Sequence, residues 1–109
     1  MARKLDEKRK EQLIDILAGE LRVLRVKVRL SQQDLASRMG VSRQTYGAIE
    51  NKKQKLTWSG FLALLLLFSS NADTSEIIER IGVYPPELKQ YVKLKDIPEK
   101  TKGAIKQYE

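Results

Sequence analysis

Apolar residues in the first half of the chain recur at helical spacing and are interrupted by short polar breaks. Leu13, Leu17, Leu21, Leu24 and Val28 fall every three or four residues, with Ile14 widening the stripe, which predicts a long amphipathic first helix. Residues 1–10 show no such period and read as a flexible basic extension. Ser31 then acts as a helix N-cap with Asp34 three positions on, a capping-box-like pair that satisfies free backbone donors and places negative charge at the positive end of the helix dipole. Leu35, Ala36 and Met39 make the apolar face of that second helix, and Gly40 supplies the residue that tolerates positive φ where it must end. Only Val41 separates Gly40 from Ser42, another good N-cap, after which Tyr46 and Ile49 continue the apolar face.

Two helices joined by so few residues cross steeply, and the small side chain of Ala36 allows their close approach. The tip of the second one, Ser42 to Thr45, is polar. Arg43 and Gln44 are the side chain types that make paired hydrogen bonds to guanine and adenine edges in a major groove. The run Ser31-Gln32 through Ala36, then Gly40-Val41-Ser42-Arg43-Gln44-Thr45, then Ile49-Glu50-Asn51, resembles the phage-repressor and Cro-type (XRE) helix-turn-helix family. The resemblance implies an all-α, five-helix DNA-binding domain, here with extra C-terminal helices. It also implies that Ser31 and Gln32 hold a phosphate, that Ser42, Arg43, Gln44, Thr45 and Ala48 face the bases, and that Asn51, Lys53 and Lys55 grip the backbone across the groove. Arg25 and Glu50 match a structural ion pair of the family. The family usually has glycine where Lys52 stands, so either Asn51 takes the left-handed turn conformation or the loop departs from the family pattern. Tyr46 and Trp58 read as core residues. Gly47, in mid-helix, points to the close approach of another backbone.

Residues 57–68 (TWSGFLALLLLF) form a helix that is apolar around nearly its whole circumference. Its eight-residue apolar run, Phe61 to Phe68, is too short for a bilayer, which needs about twenty residues. The helix closes the core with one face and requires a second cover, either the C-terminal part of the chain or the same helix in another copy. After a polar break, Asp73/Thr74 with Glu76 starts a fifth helix carrying Ile77, Ile78 and Ile81 up to Gly82. Tyr84-Pro85-Pro86 is a turn leading into a short helix with Leu88, Tyr91, Val92 and Leu94. A last helix is expected near Pro98, with Ile97, Ile105 and Tyr108 on one side. The chain therefore divides into residues 1–10, a DNA-binding domain over 11–70, and a C-terminal extension over 71–109.

Charge sharpens this picture. The 109 residues carry a net charge of +7, and the excess lies in residues 1–55, with 14 Lys/Arg against 7 Asp/Glu, while residues 56–109 carry 7 of each. A basic excess confined to the half with the motif fits a polyanion-binding face opposite a neutral face with another task. The absence of cysteine and histidine excludes disulfides, Cys/His zinc sites and imidazole acid-base catalysis, and no nucleophile-base pair or phosphate-cradling glycine loop points to an enzyme or a cofactor. No apolar segment follows the basic N-terminus, so no secretory signal is read and a cytoplasmic location is expected. The expected partner is double-stranded operator DNA, bound as a homodimer whose contact lies in 57–109. The alternative reading is an antitoxin-like or other protein-interaction module in which that same half caps a partner.

Overall fold

Asp6 opens the first helix, α1 (Glu7–Lys27), in the computed structural model, which describes residues 5–94. Its carboxylate accepts a hydrogen bond from the Arg9 backbone N–H at 2.8 Å. The helix thus begins inside the expected 1–10 extension. Residues 7–10 are its first turn because their side chains find partners far along the chain: Arg9 Nε donates to Glu87 Oε1 at 2.7 Å, and the Lys10 ammonium lies over the rings of Trp58 and Tyr91. Such distant pairings leave no periodic trace in the sequence.

Five helices follow: α2 (Gln32–Met39), α3 (Arg43–Glu50), α4 (Trp58–Ser69), α5 (Ala72–Ile81) and α6 (Pro86–Val92). All regular structure among the described residues is helical. Leu13, Leu17, Leu21 and Leu24 are completely buried along one face of α1, which lies against α3, α4 and α5. Each such leucine contributes about 1.5–3 kcal/mol relative to exposure. Ala36 is also completely buried, on the helix that packs against α3. Ile77, Ile78, Val83 and Leu88 join the same core as α1 and α4, so α5 and α6 extend one core.

The greasy α4 is covered from within the chain. Phe61, Leu64, Leu65 and Phe68 are buried, α5 packs against both α4 and α1, and Leu66 alone among the leucines of α4 is largely exposed, at 70%. Asn71 caps α5 by accepting from the Asp73 N–H at 2.8 Å, earlier than the expected start at Asp73/Thr74. Thr74 instead is buried, and its hydroxyl donates to the Phe68 carbonyl at 2.7 Å, tying α5 to the end of α4. Trp58 is only half-buried, a correction to its expected place in the core. As the first residue of α4 it lies at the rim, stacked on Phe61 at 4.9 Å and edge-on to Tyr91 at 6.2 Å. Tyr91, Val92 and Leu94 are exposed, and the helix expected near Pro98 lies outside the described residues.

The turn after α3 resolves the question raised by Lys52. Asn51 has φ −86°, and Lys52 itself adopts φ +61°. The Lys52 N–H bonds the Ile49 carbonyl and the Lys53 N–H the Ala48 carbonyl, so the left-handed helix stop is made with a lysine where glycine is the low-strain choice. Replacing Lys52 with Gly relieves that strain and is expected to stabilise the protein by about 0.5–1 kcal/mol after the entropy of glycine is counted. Urea denaturation reads this as a raised midpoint at unchanged slope; a lowered midpoint contradicts it.

Candidate nucleic-acid interface

Three helix ends build the site, and each is set by local chemistry. Ser31 and Asp34 form the full reciprocal box at the start of α2: the Asp34 N–H donates to Ser31 Oγ at 3.0 Å and the Ser31 N–H to Asp34 Oδ2 at 3.1 Å. That backbone hydrogen bond from Ser31 holds the Asp34 carboxyl below the usual aspartate range. Gly40, at φ +79°, ends α2. Ser42 then caps α3, accepting from the Thr45 N–H at 3.1 Å while its hydroxyl donates to Thr45 Oγ1 at 3.0 Å.

The tip of α3 divides by task as a result. Ser42 and Thr45 are hydrogen-bonded to each other, and Arg43 and Gln44 are the exposed long side chains. Ala48, half-buried, lies one turn on. Tyr46 and Ile49 face inward, Tyr46 completely buried. At Gly47 the nearest neighbour of an added Cβ is the side-chain oxygen of Gln32 at 3.6 Å, so no other backbone approaches and the expectation of one is corrected.

The end of α3 is locked to the end of α1. Arg25 meets Glu50 in a two-pronged pair, Nε to Oε2 at 3.0 Å and Nη2 to Oε1 at 2.9 Å, and its third nitrogen donates to the Leu30 carbonyl at 3.0 Å. The two side chains are 14% and 5% exposed. The hydrogen bonds from Arg25, opposed by burial, hold the Glu50 carboxyl below its ordinary range. Burial first and the Glu50 carboxylate second push the Tyr46 hydroxyl well above the ordinary tyrosine value, so it stays neutral.

Gln32 connects this pair to the tip. Its Nε2 donates to Glu50 Oε1 at 3.4 Å, and its Oε1 accepts from Arg43 Nη1 at 3.3 Å. The side chain expected at a phosphate thus also links α2 to both ends of α3, a role sequence reasoning missed because its partners are 18 and 11 residues away. The same holds for the loop after α3. Lys55 Nζ lies 3.6 Å from Asp15 on α1, and the Lys52 ammonium lies 3.8 Å from the position of a Cβ on Gly19. Ser31, Asn51, Lys53 and Lys55 are all exposed.

Breaking the central pair has two readable consequences. Glu50→Gln leaves the Arg25 charge without its counterion, at a cost of about 3 kcal/mol at neutral pH. Because the Glu50 carboxyl titrates lower in the folded state than in the unfolded chain, its contribution is complete above the unfolded value, about pH 4.3, and is lost as pH falls through the folded one. The variant is therefore expected to lose less stability than the parent between pH 5 and acid unfolding, and parallel acid limbs in chemical denaturation would contradict the assignment.

Nothing among curated proteins matches the chain, and nothing among solved structures does. A family model described as helix-turn-helix matches residues 21–57, from the middle of α1 to the Thr57 cap of α4. The matched span contains α2, α3, the turn between them and the Arg25–Glu50 pair, and over these residues the chain is similar to that helix-turn-helix family.

Proposed function

We propose that the protein is a sequence-specific transcriptional regulator, acting as a repressor, that reads operator DNA by inserting α3 into the major groove. The observation that carries this reading is the division of α3. Its Tyr46 and Ile49 face is buried, its far end is pinned by Arg25, and its first turn presents Arg43 and Gln44 to solvent. An inserted α3 turns Arg43 toward a guanine O6/N7 edge and Gln44 toward an adenine, with Ser42, Thr45 and Ala48 at closer range to the bases and Ala48 suited to a thymine methyl. Gln32 steadies Arg43 through its amide oxygen, and its amide carries a second N–H suited to a phosphate beside Ser31. The exposed Asn51, Lys53 and Lys55 follow α3 as backbone contacts.

One such module contacts too few base pairs to select a single site in a genome, so the reading includes a twofold dimer on half-sites about 34 Å apart. The interaction-module alternative drew on an open apolar face of Phe61 to Phe68. That face, on which the dimer contact expected in 57–109 also drew, is largely occupied by the chain itself, which weakens both.

Base reading and charge are separable. On duplexes selected from a random pool, Arg43→Ala is expected to cost about 1–3 kcal/mol and relax preference at one base pair, whereas Lys53→Ala weakens all sequences alike and lowers the salt slope by about 1. Fluorescence anisotropy titrations of both variants on selected and scrambled duplex, across a salt series, make the comparison. Equal losses on both duplexes for both variants would refute base reading by Arg43.

A further inference from the structure

Three of the helices end in the same way. Arg29 closes α1, Gly40 closes α2 and Lys52 closes α3, each in the left-handed region, at φ 59°, 79° and 61°. The backbone N–H of each bonds a carbonyl three residues back, that of Val26 at 3.0 Å, Ser37 at 3.2 Å and Ile49 at 3.1 Å. The next N–H reaches five back, from Leu30 to Arg25 at 3.1 Å, Val41 to Ala36 at 3.0 Å and Lys53 to Ala48 at 2.8 Å. Glycine makes this closure without strain, as it does at Gly40. Among the described residues, Arg29 and Lys52 are the two other than glycine with positive φ, and both are exposed cations. The same closure is thus made by glycine in α2 and by a strained cation in α1 and α3, so the turn itself does not call for the charge.

The helix dipole favours a cation past α3, whose last turn holds no basic residue. It does not account for Arg29, because α1 already carries Arg25 and Lys27 in its last turn. What the two cations share is their placement. One guanidinium holds both turns: Arg25 donates to the Leu30 carbonyl, next to Arg29, and to Glu50, two residues before Lys52. Neither cation forms an ion pair with a described residue. Asp15, near the Lys52 turn, is paired with Lys55 instead.

We propose that Arg29 and Lys52 are phosphate contacts, one for each strand that borders the groove entered by α3, and that the strain at the two turns is retained for their charge. The proposal rests on the DNA-binding reading above. Consecutive Cα atoms are about 3.8 Å apart, so Arg29 lies within about 7.6 Å of Ser31, in reach of a phosphate beside Ser31 and Gln32. Its charge also answers a repulsion there. The Ser31 N–H is held by the Asp34 carboxylate, which stays ionised and opposes a phosphate, and a guanidinium two residues away offsets it. Lys52 stands between Asn51 and Lys53 on the other side of the groove. Its ammonium rests against α1 beside Gly19, and a flexible four-carbon stem lets it swing to a phosphate while the turn stays fixed.

Glycine substitution separates the two roles, because it relieves the turn while removing the charge. Arg29→Gly, Lys52→Gly and the double variant are titrated beside the parent on selected and scrambled duplex across a salt series. Arg80→Gln, which removes an exposed cation of α5, measures the effect of net charge alone. Each glycine variant is expected to hold or raise its urea midpoint, to bind both duplexes about five- to tenfold more weakly at about 100 mM salt, and to lower the salt slope by about 1. The double variant lowers the slope by about 2, and Arg80→Gln keeps the parent slope. Glycine variants with the parent slope, a loss matched by Arg80→Gln, a loss confined to the selected duplex, or a midpoint that falls together with the affinity would each overturn the proposal. If it fails while Arg43→Ala still loses discrimination, the DNA-binding reading survives without these contacts; a parent protein that binds neither duplex removes both.

Discussion

The Arg25–Glu50 ion pair is the constraint on which the rest of the structure depends. It joins the last turn of α1 to the last residue of α3, and through the Leu30 carbonyl it also holds the turn that leads into α2. Two charges this far from water are costly unless each finds several well-aligned partners. Arginine meets that condition with a planar fork that serves the carboxylate with two nitrogens and the carbonyl with a third, which a lysine ammonium could not do in one geometry. The gain is positional. The orientation of α3 on the core is set at its C-terminal end, which leaves its N-terminal turn only the Ser42 cap and the Arg43–Gln32 hydrogen bond as structural duty.

Gln32 extends that constraint toward the surface. Its amide bridges Glu50 and Arg43, so an exposed side chain proposed to read bases is linked by two hydrogen bonds to the buried ion pair at the far end of α3. A long arginine that is partly ordered before binding loses less rotamer entropy when it meets a base. The left-handed lysine at position 52 shows the opposite balance. There the chain accepts local backbone strain, and a cation results at a helix C-terminus, where the dipole favours it, close to α1 and beside the proposed phosphate contacts.

Elements defined by nearest neighbours in the chain were legible before any coordinates. The stripe of α1, the Ser31–Asp34 box, the Gly40 stop and the Ser42 cap depend on residues within four positions of one another, and they stand where the pattern put them. Trp58 misled because an aromatic residue at a helix start reads the same whether it points to the core or to the rim. Thr74 misled because a threonine that could cap a helix can equally donate to a carbonyl six residues back, as it does to Phe68. Residues 7–10 misled because what orders them, Glu87 and the ring of Trp58, lies outside any local window.

The sequence by itself determined that α2 and α3 form, where α2 begins and ends and where α3 begins, and that the first turn of α3 carries an arginine and a glutamine, because capping, turn and periodic signals are local and act over a few residues. Only the tertiary structure decided that α5 covers the greasy α4 and that Gln32 ties Arg43 to Glu50. These depend on which surfaces the folded chain buries against one another, and that outcome is settled by the summed packing of elements distant in sequence.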